Sequence, residues 1–255
     1  MAATSHAALV VDGAGTPVGA DTGCVHDVAW YSQALGSALI PRLAHTGRSL
    51  TDSLAEAISD VAAQHGPDCD LGHPGSPSAT VTTVRERDGW LEYLVLADSP
   101  LVLDLSTGID VICDNRVDLF HQPEPAAMRD HPAGSAEHTA ALREYVQAWR
   151  QHHNREGGFW SASTTPDAAA HALTGSFPLT DVRAAALLSD GASRLADRFG
   201  LLTWRQLLDV LDNDGPAALI QSTRAAEDSD PNGHRWPRGK SHDDATAIHC
   251  RIDPS

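Results

Sequence analysis

The N-terminal part of the chain changes from a strand-like to a helix-like spacing of apolar residues. Residues 8–11 form a short apolar run that ends at the turn sequence Asp12-Gly13. Apolar side chains then recur at helical spacing over residues 25–43 and again over 49–64. The pattern predicts a strand, a tight turn and two helices.

The middle of the chain is rich in β-branched and aromatic residues, which favour strands. Asp88-Gly89 separates the first two of these segments and is typical of a tight hairpin turn. We predict that four successive strands form one antiparallel meander. Their expected bounds are 79–85, 90–97, 101–105 and 109–113.

The C-terminal half begins with a mostly polar helix, predicted over residues 136–155, whose exposed face suits a lid or flank. A buried strand follows over 184–188, and a final strand is expected over 245–251. Between these strands lie three helical patterns, over 194–199, 204–211 and 216–227. Strands and helices in this order indicate an α+β domain, in which a sheet-on-sheet core is covered by helices.

Composition sets the size of the domain and its expected partners. A chain of 255 residues with 42% hydrophobic content is long enough for one substantial core, so we expect a single domain. The 18 basic and 34 acidic residues give a net charge of -16, which repels phosphate backbones and anionic membrane surfaces. Neither nucleic acid nor membrane is therefore an expected partner.

The cysteines and the apolar runs bear on the cellular compartment. Cys24, Cys69, Cys113 and Cys250 show no CxxC spacing, so neither a zinc knuckle nor a thioredoxin-like pair is predicted. Scattered reduced thiols fit the cytoplasm. No apolar run approaches the roughly 20 residues that span a bilayer. We expect a soluble, cytoplasmic protein.

Aspartates at the ends of predicted strands are the main candidates for chemistry. Asp12 and Asp98 each follow an apolar run, Asp190 follows the buried strand, and Asp243 and Asp244 stand side by side before the last strand. Adjacent carboxylates often bind a cation. Each segment alone also fits a plain turn or a solvated loop end.

Other catalytic motifs fit the sequence poorly. The segment VVDGAG could open a dinucleotide-binding loop, but Val18 stands where that fingerprint needs a small residue, and the next element is a helix. The chain also lacks a G-x-S-x-G elbow and an H-E-x-x-H helix. A nucleotide-binding oxidoreductase is therefore a distant alternative.

Taken together, four segments have the order and spacing of the protein phosphatase 2C family, whose motifs read DG, GDS, SDG and DN-x-T-V/I. The matching segments are VVDGAG at Asp12, LEYLVLADSPLVL at Asp98, AALLSDGAS at Asp190 and HDDATAI at Asp243. The resemblance covers nearly the whole chain. It implies a four-layer α-β-β-α sandwich, with two central antiparallel sheets flanked by helices, as one domain over residues 1–255.

The same resemblance implies a metal site for two Mn²⁺ or Mg²⁺ ions at one end of the sandwich. Asp12 would bridge two ions and Gly13 would offer its carbonyl to one of them. Asp190 and Asp243 would complete the coordination of the other ion, and Asp98 would belong to a peripheral third site. Hard oxygen ligands are what these cations prefer.

The activity that the resemblance implies is hydrolysis of phosphoserine or phosphothreonine in a phosphoprotein, with metal-activated water as the nucleophile. Family members usually carry an arginine and an acidic residue upstream of the first motif. Only eleven residues precede Asp12, and none is acidic or arginine. Either the true start lies upstream, or the first strand, the second ion and the phosphate clamp are compromised. The alternative function is a catalytically impaired regulator that binds phosphoproteins or partners without turnover.

Three further residues near the last motif are candidates for the missing parts. Arg238 and Lys240 could hold a phosphate, although a solvated basic loop is the favoured interpretation of these residues. His242 could serve as an acid or base near neutral pH, or be an exposed bystander. The sequence leaves the oligomeric state open.

Overall fold

The computed structural model contains two antiparallel sheets packed face to face, with helices on both outer sides. It describes residues 1–14, 19–120, 130–131, 135–238 and 240–252. The strands are β1 Ala2–Ala3, β2 Ala7–Gly13, β3 Ala79–Arg87, β4 Trp90–Leu96, β5 Leu101–Leu105, β6 Gly108–Ile112, β7 Leu173–Pro178, β8 Val182–Leu188 and β9 Ala247–Arg251. The helices are α1 Val28–Leu43, α2 Leu50–Ala62, α3 Ala136–Arg150, α4 Asp190–Asp197, α5 Trp204–Asn213 and α6 Pro216–Asp228.

The strand order is β1-β2-β3-β4-β7 in the first sheet and β6-β5-β8-β9 in the second. Every neighbouring pair is antiparallel. Within the described residues, no helix is both long and apolar enough to cross a membrane.

Alternation along the strands produces the layers, because successive side chains of a strand point to opposite faces. In β2, Leu9 packs against α1 and α2, whereas Ala8 and Val10 face the second sheet. In β8, Leu187 faces the first sheet and Leu188 packs against the C-terminal helices. The predicted α+β class and the α-β-β-α sandwich are therefore confirmed.

The predicted four-stranded meander is wrong, although both of its hairpins form. The β3–β4 hairpin lies in the first sheet and the β5–β6 hairpin in the second, because the chain crosses between sheets after β4. Ala97 adopts a left-handed backbone conformation, with φ 69°, at this crossing. Pro100 has no N–H to donate, so a direct continuation of the ladder is disfavoured there.

One helix boundary and one strand also differ from prediction. The first C-terminal helix begins at Asp190 rather than at 194, since Ser189 already occupies the N-cap position. Strand β7 was not predicted, because most of its side chains are exposed and supply no apolar signal. It forms by pairing with β4 at the sheet edge.

A buried ion pair connects the first sheet to the loop between α1 and α2. The Arg85 side chain is only 1% exposed, and its guanidinium donates to Glu92 at 2.5 and 3.0 Å. It also donates to the backbone carbonyls of Arg48 and His45, at 2.9 and 3.4 Å. A buried charge is tolerated only when it is paired and hydrogen-bonded in this way.

We predict that Arg85→Ala lowers the free energy of unfolding by about 3 kcal/mol or more, since it removes the buried partner of Glu92 and the donor to the His45 and Arg48 carbonyls. The matched control is Arg87→Ala. Arg87 pairs with the same carboxylate at 2.5 Å but is 34% exposed, so this variant should cost less than about 1 kcal/mol. Urea unfolding of the two variants measures both values, and equal losses would contradict the assignment.

Candidate metal centre

Four aspartates lie at one end of the sandwich, because each stands where a strand ends or begins. Asp12 lies near the end of β2, and Asp98 closely follows β4; both strands run antiparallel to β3, so their ends meet at one edge. Asp190 follows β8 and Asp243 precedes β9, and the last residue of β8 pairs with the first of β9. The tertiary fold thus gathers residues from four distant motifs.

The two glycines that follow the motif aspartates are required by close packing. A Cβ at Gly13 would lie 2.2 Å from the Val28 side chain in α1. A Cβ at Gly191 would lie 2.0 Å from the backbone oxygen of Asp244. Both distances are shorter than any real carbon contact, so only glycine fits there. Gly15, the last residue of the first motif, lies outside the described residues.

Asp12 and Asp190 form the centre of the acidic group. Burial, followed by the negative charges of Asp190 and Asp243 and a hydrogen bond with Asp190, raises the pKa of Asp12 to about 8. Burial and Asp243 also raise the pKa of Asp190, although the Arg194 guanidinium opposes that shift. These shifts are typical of carboxylates that share one site and repel each other.

Asp98 lies at the edge of the same group. Burial, with a smaller contribution from the Asp190 charge, raises the pKa of Asp98 to about 7. The following residue is fixed by β3: the Thr82 hydroxyl donates to the Ser99 carbonyl at 2.5 Å, and the Thr80 and Ser99 hydroxyls lie 2.5 Å apart. The turn that carries Asp98 is therefore held against the strand that lies opposite Asp12.

Asp243 differs from the other three, because cations already surround it. The Arg194 guanidinium pairs with its carboxylate, and Lys240 Nζ lies 2.8 Å from Oδ1. Arg224 donates to its backbone carbonyl. Burial would raise the pKa of Asp243, but Lys240 and Arg194 outweigh it and hold that pKa below its usual range.

Arg194 was not predicted, yet it organises the site. It lies one helical turn after Asp190, with Nη2 3.8 Å from that carboxylate. Its Nη1 donates at 2.8 Å to Glu227, whose side chain is fully buried and also pairs with Arg224 at 2.5 Å. The sequence signal was the i, i+4 spacing of Asp190 and Arg194, but Glu227 and Asp243 come from other elements.

The structure places the remaining candidates away from the acidic group's centre. His242 Nε2 lies 2.7 Å from Asp228 Oδ1, and both side chains are exposed. The Arg238 side chain is buried and donates to Asp230 at 3.1 Å and to several backbone carbonyls. A phosphate would have to displace these acceptors, so Arg238 is poorly suited to bind one.

The acidic group offers the donors that a hard divalent cation prefers. Buried carboxylates with raised pKa values would be relieved by such a charge, and Asp12 with Asp190 fits this chemistry. The oxygens of Asp12, Asp190 and Asp243 do not all lie within 4.8 Å of one another. Asp243 would therefore have to leave Arg194 and Lys240 to join the same ion.

Comparison with known proteins shows likeness in structure but not in sequence. No protein-family model matches the chain, and no curated protein matches it either. The serine/threonine phosphatase PstP/Ppp of Mycobacterium tuberculosis matches with a TM-score of 0.52 and 17% identity, over 99% of this chain and 90% of that one. Serine-threonine phosphatase 2C from Toxoplasma gondii matches with a TM-score of 0.53 and 14% identity, over 98% and 86%.

A further structure of the PstP catalytic domain, in complex with 2 manganese ions, matches with a TM-score of 0.51 and 16% identity, over 99% of this chain and 90% of that one. The chain therefore has the fold of the type 2C serine/threonine phosphatases. The resemblance first seen in four short motifs extends to the whole architecture.

The raised pKa of Asp12 predicts a pH-dependent stability when divalent metal is removed. The folded protein keeps the Asp12 proton up to about pH 8, whereas the unfolded chain loses it near 3.8. The free energy of unfolding should therefore fall as pH rises between these values. Asp12→Asn removes this loss, so the variant should become increasingly more stable than wild type as pH rises.

Urea unfolding in chelator at pH 5 and pH 8.5 measures the difference between wild type and Asp12→Asn. The control is Asp68→Asn, because Asp68 is exposed in the loop after α2. A difference that stays constant with pH would show that Asp12 is not held protonated by its neighbours.

Proposed function

We propose that this protein is a metal-dependent phosphatase that hydrolyses phosphoserine or phosphothreonine in phosphoproteins. The observation that carries the proposal is the group of four partly buried aspartates at one end of a type 2C phosphatase fold. Structural proteins rarely keep mutually repelling carboxylates together without a counter-charge. A net charge of -16 also favours a protein substrate over nucleic acid or an anionic membrane.

The residues that would hold Mn²⁺ or Mg²⁺ are those of the four motifs. Asp12 and Asp190 would bind through their carboxylates, Gly13 through its carbonyl, Asp243 after release from its cations, and Asp98 at the periphery. Such ions supply Lewis acidity, which activates water near neutral pH and neutralises charge on the phosphoryl group. The PstP structure with 2 manganese ions supports a two-ion site in this fold.

The protein's own contribution is to position and desolvate these carboxylates. Gly13 and Gly191 bring α1 and the Asp244 backbone close to the motif aspartates, which limits their movement. Burial lowers the local dielectric, so the carboxylates interact more strongly with a cation than they would in water. His242 stays a prediction as acid or base, and its Nε2 contacts Asp228 Oδ1 at the surface.

Hydrolysis of an aryl phosphate and of a phosphopeptide tests the proposal. We expect activity with Mn²⁺ that chelator abolishes, and a loss of about 100-fold or more in kcat/KM for Asp190→Ala, because metal stabilisation amounts to several kcal/mol. The matched control is Asp209→Ala, which removes an exposed carboxylate from α5 and should leave activity unchanged. Activity that is indifferent to chelator would contradict the metal mechanism.

The second candidate is a phosphatase-fold regulator that binds phosphoproteins or partners without turnover. Arg194 favours it, because its guanidinium already supplies positive charge to Asp243 and approaches Asp190. A permanent cation in the acidic group reduces the need for a metal ion. Manganese binding without hydrolysis of either substrate would support this candidate.

Two roles are open to Lys240 beside Asp243: it competes with the metal ion, or it holds phosphate. If it competes with the metal, Lys240→Ala should tighten Mn²⁺ binding by about 2- to 5-fold, because a half-exposed ion pair is worth less than about 1 kcal/mol. If it holds phosphate, the same variant should raise KM and leave metal affinity unchanged. Calorimetric titration with Mn²⁺ and steady-state kinetics separate these results, and we expect the first.

A further inference from the structure

Two cysteines and a histidine from distant parts of the chain meet beside the first sheet. Cys24 and His26 lie in the loop between β2 and α1, and Cys69 lies in the loop between α2 and β3. The two Sγ atoms are 3.2 Å apart, and His26 Nδ1 lies 3.6 Å from each of them. The chain spacing had predicted no metal-binding cysteines, because it shows only local motifs.

The separations resemble the edges of a tetrahedral zinc site. Zn–S bonds of about 2.3 Å and Zn–N bonds of about 2.0 Å give sulfur–nitrogen edges of about 3.5 Å and a sulfur–sulfur edge of about 3.8 Å. The two His26 distances fit directly. The sulfur atoms would have to separate by about half an ångström on binding.

The surrounding contacts hold the three ligand side chains in place. The His26 ring stacks on Trp30 with centroids 3.8 Å apart, and its backbone N–H donates to Cys24 Sγ at 3.3 Å. The two loops are also joined directly, since the Asp70 N–H donates to the Gly23 carbonyl at 2.6 Å. Backbone N–H donation to sulfur and a fixed imidazole ring are typical supports for metal ligands.

His65 offers a fourth ligand from the end of α2. Its Nδ1 lies 3.0 Å from the Val61 carbonyl, so this nitrogen carries the proton and Nε2 has a free lone pair. Nε2 is buried and finds no hydrogen-bond partner in the described part of the chain. The ring lies edge-on to His26, with centroids 5.1 Å apart. Nε2 is outside the close group, so its binding needs a side-chain movement.

We propose that Cys24, His26 and Cys69 bind a structural Zn²⁺ ion, with His65 completing the tetrahedron. Thiolate and imidazole ligands select zinc, whereas the aspartates of the candidate metal centre select Mn²⁺ or Mg²⁺. The site would tie the loop that follows Asp12 to the loop that leads into β3. The proposal is independent of phosphatase activity.

The chemistry of the thiols is consistent with this assignment. Burial raises the pKa of the Cys24 thiol, and its hydrogen bond with Cys69 raises it further. Without metal, Cys24 is therefore a neutral thiol near pH 7, and zinc binding would release its proton. All four cysteines are free in the structure.

The test measures zinc in the full-length protein, purified without chelator. We expect about one zinc ion per chain by elemental analysis, and cobalt substitution should give the absorption bands of a tetrahedral thiolate complex. Cys24→Ala and Cys69→Ala should each reduce bound zinc at least tenfold. Cys250→Ala is the matched control, because Cys250 lies in β9, and it should keep zinc at the wild-type level.

Folding and activity are separated by two further measurements. Chelation of the wild-type protein should lower its melting temperature, and re-addition of zinc should restore it. Circular dichroism measures both changes. This test does not depend on a variant that folds poorly. Asp190→Ala should lose hydrolysis yet retain zinc, so failure of one proposal does not imply failure of the other.

Three results would overturn the zinc site. Wild-type protein that neither retains nor takes up zinc, and a Cys24–Cys69 disulfide found by thiol counting under non-reducing conditions, each exclude it. Equal zinc content in Cys24→Ala and wild type would do the same. Zinc affinity unchanged by His65→Ala would overturn the assignment of the fourth ligand.

Discussion

The repulsion among four partly buried aspartates at one end of the sandwich is the constraint on which the rest of the site depends. Burial and mutual charge raise the pKa values of Asp12, Asp98 and Asp190 together. Such a group must be protonated, paired with basic side chains or bound to a cation. Asp243 is paired with basic side chains, whereas Asp12, Asp98 and Asp190 have raised pKa values.

Arg194 and Lys240 supply the basic side chains, but only to Asp243 at close range. Asp12 has no such pairing in the described residues, and its pKa is raised to about 8. The acidic end of the site is thus open to a metal ion, while the Asp243 end is already neutralised. The proposed phosphatase would need the ion to compete with Arg194 for Asp243, whereas the proposed regulator would leave that ion pair intact.

The β2–α1 loop connects the Cys24–His26–Cys69 group to the aspartate site, because it begins just after Asp12 and Gly13. The β2–α1 loop that carries two of these ligands begins directly after Gly13, whose packing against Val28 fixes the start of α1. A zinc ion would restrain the other end of this loop. The segment from Asp12 to His26 would then carry hard ligands for Mn²⁺ or Mg²⁺ at its start and soft ligands for Zn²⁺ at its end.

Local patterns determined most of the secondary structure and all four motif aspartates. Strand alternation and helix periodicity depend on neighbours in sequence, so β2, α1, both hairpins and the C-terminal helices could be predicted. The motifs were likewise visible because each aspartate adjoins a strand. The sequence by itself also indicated the α+β class and the family that the fold resembles.

Only the tertiary structure decided which residues meet. The crossing after β4 divides the predicted meander between two sheets. Strand β7 forms because the free edge of β4 offers it a pairing partner, whereas its own residues show no strand pattern. Arg194, Glu227 and the pairing of Cys24 with Cys69 depend on contacts between residues 33 to 49 positions apart. No local pattern encodes such contacts, because they arise from the packing of whole elements.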